Sequence, residues 1–139
     1  PDQTARNRTL ILVLLFKKKF LAAIRDGQKT QTIRLWKFRK MRAGQRSYIP
    51  GVGYIGILAV DEISLDALTD DDARPDGFPT ADALRAEIHA LYDQQLAAGS
   101  KAFRIRFRVL DAHEQQAAAA ERKQAKAAAA NPAGRAPTG

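Results

Sequence analysis

Residues 27–34 read Gly27-Gln28-Lys29-Thr30-Gln31-Thr32-Ile33-Arg34. Just upstream, Lys17 to Asp26 predicts a short helix, with Phe20, Leu21 and Ile24 on one face and Gly27 as its stop. Downstream, Thr30 to Trp36 is rich in strand formers and alternates Thr30, Thr32, Arg34 and Trp36 with Gln31, Ile33 and Leu35. In an extended strand Thr30, Thr32 and Arg34 project from one face. Lys29, at the junction, reaches over that face or into a pocket beside it. An ammonium, a hydroxyl and a guanidinium in one patch suit a phosphate, a carboxylate or the polar edge of a base. The same residues also describe an ordinary solvated strand.

The flanking sequence supplies the rest of a small α+β domain. Leu10 to Phe16 is a continuous apolar run that predicts a buried strand. Residues 37–46 are very basic and end at a Gly44 turn, and residues 47–53, with Pro50, Gly51 and Gly53, predict a turn or loop. Tyr54 to Ile63 predicts a strand, with Gly56 marking a bulge or a close approach. Leu65 to Ala73 predicts a helical turn. After the loop at Arg74 to Pro79, Thr80 caps a helix from Ala81 to about Leu96, with Leu84, Ile88, Leu91 and Tyr92 at helical spacing. Gly99 closes that helix. Ala102 to Leu110 alternates Phe103, Ile105, Phe107 and Val109 with Arg104, Arg106 and Arg108, a half-buried strand. Residues 1–8 read as a flexible lead-in and 9–111 as the folded domain. Residues 112–139 read as an Ala-rich tail, helical to about 130 with marginal stability and disordered beyond.

Composition narrows the chemistry. The 139 residues include 23 Lys and Arg against 15 Asp and Glu, a net charge of +8. No cysteine is present, which excludes disulfides, thiolate metal sites and a cysteine nucleophile. His89 and His113 lie far apart in sequence, so neither a His-rich metal site nor a Ser-His-Asp device is easily built, and no metal or cofactor is expected. No apolar run approaches the roughly 20 residues of a membrane span. A cytoplasmic protein without membrane contact is the expectation, and its oligomeric state is left open. Charge is segregated: residues 1–46 hold 13 basic and 2 acidic side chains, and residues 47–100 hold 2 basic and 10 acidic. A positive block of this kind attracts polyanions such as RNA, unless the blocks neutralise each other in the fold.

The motif Gly-x-Lys-x-x-Thr-x-Arg, carried by Gly27, Lys29, Thr32 and Arg34, resembles that of the ASCH domain family, which is related to the PUA RNA-binding fold. The short helix before it, the stretch Leu68 to Phe78, the helix ending in Leu91-Tyr92 and the strand Phe103 to Leu110 follow in the same order over about residues 10–111. The resemblance implies a PUA-like curled β-barrel with short helices at its ends, and a cleft around the motif for RNA or a modified nucleoside. It also implies ligand-binding roles for Gly27, Lys29, Thr32 and Arg34. Trp36 and Tyr54 are further ligand-binding candidates from their positions beside the motif and the Pro50-Gly51 loop, where core packing or strand propensity explains them as well. One branch of the family is similar to N4-acetylcytidine amidohydrolases, in which a Lys accepts a proton, a Thr attacks the amide carbonyl and a Glu donates a proton. Those positions fall on Lys29, Thr32 and Asp76, the last with Asp in place of Glu. For the threonine to attack, a neighbouring base must take its proton, and a lysine is such a base only when its pKa is depressed. Three functions follow: a binding module for RNA or a nucleoside, an amidohydrolase, and a ribonuclease using the same cleft.

Other features have plainer readings. Trp36-Lys37-Phe38-Arg39-Lys40 interleaves aromatics with cations, a pattern that suits stacking on unpaired bases, although a core position for Trp36 explains it as well. Arg104, Arg106 and Arg108 form a basic stripe that suits a phosphate backbone or, more simply, the wet face of a charge-guarded edge strand. Asp70-Asp71-Asp72 read as first-turn acids that match a helix dipole.

Overall fold

The structure is a computed structural model and describes residues 12–130. Among the described residues, five strands form one sheet: β1 (Leu12–Val13), β2 (Gln31–Trp36), β3 (Arg46–Ile49), β4 (Gly53–Ile63) and β5 (Lys101–Val109). Their spatial order is β1-β3-β4-β5-β2. Neighbours are antiparallel except for the parallel pair β1–β3. Four α-helices accompany them: α1 (Leu21–Arg25), α2 (Asp70–Ala73), α3 (Ala81–Ala97) and α4 (Ala112–Ala130). Single 3-10 turns occupy Lys18–Phe20, Leu65–Ala67 and Arg74–Asp76.

The sheet curls so that its first and last strands approach. Arg34 on β2 donates from Nη2 to the Leu15 carbonyl, just beyond β1, at 2.7 Å. This curling divides the apolar residues between two faces. Inside lie Leu14, Ile24, Met41, Ile49, Ile55, Ile57, Phe103, Ile105 and Phe107, with Trp36 packed against them. Outside, Ile33 and Leu35 pack beneath α2 and α3 against Leu68, Ala73, Leu84 and Ile88. The alternation along β2 is therefore real, but both faces are covered and the strand is not the solvated one its polar residues also allowed.

Several expectations need correction. The apolar run at 10–16 forms only a two-residue strand within the described residues, and it is not uniformly buried: Val13 and Leu15 are exposed, while Leu14 is core. The stretch read as a loop over 47–53 contains β3, paired with β4 from Arg46↔Gly56 to Ile49↔Gly53. Only four residues long, β3 gives little periodic signal before the Pro50-Gly51 turn. The irregularity in β4 falls between Ile57 and Ala59, so the exposed Leu58 is the bulged residue rather than Gly56. β5 is an interior strand between β4 and β2, so its arginines do not guard an edge. Arg104 instead pairs with Asp72 at 3.2 Å, and Arg108 forms a two-pronged bridge to Glu114 at 2.8 and 2.6 Å. Leu91, placed on the apolar face of α3, is exposed.

The acidic run at 70–72 is used locally. Thr69 and Asp72 form a reciprocal capping box on α2, and Asp70 Oδ1 accepts from the Ala81 amide at 2.8 Å, at the start of α3. Thr80 caps α3 as its sequence position predicts, accepting from the Ala83 amide at 3.1 Å. Helix α4 is fastened to the sheet by Gln115, whose Oε1 accepts from the Tyr54 amide (2.9 Å) and whose Nε2 donates to the Tyr54 carbonyl (2.8 Å). Its buried Ala118 packs with Tyr54 and Leu110. The predicted lead-in at 1–8 and the predicted disorder beyond 130 lie outside the described residues.

Candidate functional site

The site forms where β2 begins, against the 3-10 turn Arg74–Asp76. Helix α1 ends at Gly27 in the left-handed region (φ 79°), a conformation that favours glycine, and the chain turns into β2 with Lys29 tucked inward. The Thr30 amide donates to the Pro75 carbonyl at 2.8 Å, locking the turn to the strand. Gly77, also left-handed (φ 94°), ends the turn, and the Lys29 stem lies across it. This brings Asp76 beside a lysine 47 positions earlier.

Lys29 Nζ lies 2.6 Å from Asp76 Oδ1 and also donates to the Asp76 carbonyl. Lys29 is 2% exposed and Asp76 3%. The second carboxylate oxygen of Asp76 accepts from Gln31 Nε2 at 3.2 Å, and that nitrogen also donates to the Asp72 carbonyl at 3.0 Å. Three aromatic rings surround the ammonium: Phe20 at 4.9 Å, Phe16 at 5.8 Å and Phe78 at 5.9 Å from Nζ to the ring centroid. Burial pushes Lys29 below the ordinary lysine range, opposed by the Asp76 charge, and Arg34 nearby acts in the same direction as burial. Burial pushes Asp76 above the ordinary carboxyl range, opposed by Lys29 and Gln31. For each group burial acts against the charged form, and the partner's charge acts for it.

Thr32 is buried, and its Oγ1 accepts from Arg34 Nε at 3.2 Å. The Arg34 guanidinium stacks on Phe16 at 4.7 Å. Helix α3 departs from helical geometry at Tyr92 (φ −126°, ψ 26°), which lines the same cavity as Arg34. These groups line one cavity of about 330 Å³. That volume stands at the lower end of the roughly 300–1,000 Å³ typical of small-ligand pockets. Its wall includes Phe16 and Phe78 from loops, Phe20 from the 3-10 turn Lys18–Phe20, and Leu84, Glu87 and Ile88 from α3. A smaller hollow of about 200 Å³, around Gln31, Asp72 and Arg106, includes neither Lys29 nor Thr32.

Lys29, Thr32, Arg34 and Asp76 are thus brought together around one cavity. Gly27, Trp36 and Tyr54 are not among its lining residues. Gly27 shapes the turn that delivers Lys29. Trp36 packs on Phe103 with ring centroids 5.5 Å apart, the core position its sequence also allowed. Tyr54 meets Tyr48 at 5.0 Å under α4. The residues that sequence reading missed are Gln31, Glu87, Tyr92 and the phenylalanine trio. Phe20 and Tyr92 stood out only as apolar helix positions, and nothing local marks Gln31, since its function depends on a turn 45 positions away.

No family model matches the chain, and no curated protein matches it. Solved structures do resemble it. The ASCH domain from Lactobacillus crispatus superposes with a TM-score of 0.60 at 14% identity, over 78% of this chain and 85% of that one. Protein EF3133 from Enterococcus faecalis, carrying the family designation DUF984, gives a TM-score of 0.59 at 17% identity, over 78% and 89%. Protein PF0455 from Pyrococcus furiosus gives 0.57 at 15% identity, over 73% and 99%. With its curled sheet and its helices, this chain has the α+β fold of the ASCH domain.

Proposed function

We propose that the cavity binds a pyrimidine nucleoside bearing an exocyclic amide, and that Lys29 and Thr32 hydrolyse that amide. The observation that carries this reading is the buried Lys29–Asp76 pair lining the same cavity as the Thr32 hydroxyl. Burying an ion pair generally costs more than packing apolar side chains in its place. A small domain with such a pair in an open cavity is therefore better explained by chemistry than by stability. The resemblance of residues 27–34 to the amidohydrolase branch points to the same residues.

The chemistry is as follows. In its uncharged form Lys29 has a lone pair on Nζ and takes the proton of Thr32 Oγ1 as that oxygen attacks the amide carbonyl carbon. The Arg34 Nε–H, already directed at Thr32 Oγ1, orients that oxygen and lowers its proton affinity as Lys29 takes the proton. Collapse of the tetrahedral intermediate breaks the C–N bond, and the Lys29 ammonium returns the proton to the departing nitrogen. Asp76 has both carboxylate oxygens engaged, by Lys29 and Gln31, so it acts through Lys29 by sharing its proton. Water then attacks the acyl-threonine ester, Lys29 takes its proton and returns it to Thr32 Oγ1 as the C–O bond breaks, and the acid leaves, the amine having left in the first step.

Incubation of the full chain with N4-acetylcytidine tests this reading, with cytidine and acetate followed chromatographically. The wild type should turn over, and Thr32→Val should lose at least about a hundredfold, the scale of a nucleophile or its base. Absence of product at high enzyme concentration overturns the hydrolytic reading.

A second reading rests on a different observation. Phe38 is 79% exposed and stands among Lys37, Arg39 and Lys40, an arrangement suited to stacking on an unpaired base while cations hold phosphates. It expects salt-sensitive RNA binding that weakens in Phe38→Ala; unchanged binding in that variant removes it.

A further inference from the structure

The chain is strongly basic, yet the cations around the cavity have protein partners. Lys29 is held by Asp76, and Arg34 by Leu15 and Thr32. At the mouth Lys17 lies 3.3 Å from Glu87 Oε2, and Lys19 lies 3.8 Å from the same oxygen. Glu87 projects from α3 into the cavity wall with a side chain 19% exposed, whereas those of Lys17 and Lys19 are 50% and 58% exposed. One carboxylate therefore occupies two ammonium groups at the entrance. An incoming phosphate meets there a fixed carboxylate that competes with it for Lys17 and Lys19. An uncharged ligand has no such exchange to make.

We propose that Glu87 is a charge-selecting residue at the cavity mouth: by holding Lys17 and Lys19 it admits uncharged ligands and disfavours those carrying a phosphate at the entrance. The proposal rests on the nucleoside reading of the cavity and adds to it the residue that sets ligand charge. It also accounts for the coexistence of a positive N-terminal block with a cavity whose cations are already engaged.

Calorimetric titration of the full chain with cytidine and with cytidine 5′-monophosphate tests it. The wild type is expected to bind cytidine more tightly than the monophosphate. In Glu87→Gln the ratio should shift toward the monophosphate by about tenfold, the scale of one additional charge-assisted hydrogen bond to the phosphate. Adding Lys17→Met and Lys19→Met to Glu87→Gln should reverse that shift, a result a merely structural Glu87 would not give. Matching thermal unfolding of the wild type and Glu87→Gln controls for folding. A ratio unmoved by Glu87→Gln, or a wild type that prefers the monophosphate, overturns the selector and leaves the nucleoside reading intact. A wild type that binds neither probe overturns both.

Discussion

Lys29→Met isolates the energetics of the buried pair. In the wild type, burial raises the Asp76 pKa and lowers that of Lys29. A carboxyl with a raised pKa keeps its proton in the folded chain where the unfolded chain has released it. Its contribution therefore falls as pH rises from the ordinary 3.8 through the raised value. Lys29 acts in the opposite sense, its contribution rising with pH from the lowered value toward 10.5. Lys29→Met removes the lysine contribution and also the largest influence opposing burial at Asp76, so the Asp76 pKa climbs further. Asp76 is 3% exposed, so above that pKa it becomes a buried carboxylate without its ammonium, a loss of about 3–5 kcal/mol. Below it the acid is neutral and the loss is smaller, with a limiting slope of about 1.4 kcal/mol per pH unit between. Urea unfolding at pH 5, 6.5 and 8, followed by fluorescence of the single tryptophan, Trp36, reads this directly. The stability lost by Lys29→Met should grow from pH 5 to pH 8, and adding Asp76→Asn should recover most of it at pH 8. An equal loss at pH 5 and pH 8, with no recovery in the double variant, would refute the reasoning.

Three further outcomes are expected. If Lys29 is the base, the pH profile of kcat/KM for amide hydrolysis should rise through an apparent pKa below the ordinary lysine value and then level off; a limb at 10.5 contradicts a depressed lysine. Gln115→Ala leaves the Tyr54 amide and carbonyl without their side-chain partner, so it should cost about 1–3 kcal/mol and speed amide exchange along α4. Thr80→Ala should cost about 1 kcal/mol of stability through the lost cap on α3, without altering ligand affinity, as measured by thermal unfolding beside titration.

The elements legible in the sequence were those with long periodic signals. β5 alternates over nine residues and α3 repeats over 17, and the structure places both within a residue or so of expectation. β3 escaped because four residues beside a Pro-Gly turn offer no period, and its strand character comes from pairing with β4. At the site, the contiguous motif announced Lys29, Thr32 and Arg34. Gln31 and Glu87 did not announce themselves: the first reads as one polar residue in a strand, and the second as a surface acid on a helix. Their meaning depends on which turn or loop the fold brings opposite them. Trp36 and Tyr54 erred the other way, since aromatic character near a motif does not distinguish a ligand wall from a core.

The Arg34 bond to the Leu15 carbonyl joins the two margins of the curled sheet, and the same guanidinium steadies Thr32. Candidate site and architectural seam consequently share a single fastener. Reshaping the hollow through Arg34 loosens the closure of the sheet as well, so a redesign for larger ligands succeeds more readily from the α3 wall, at Leu84 or Ile88, than from the strand that carries the motif.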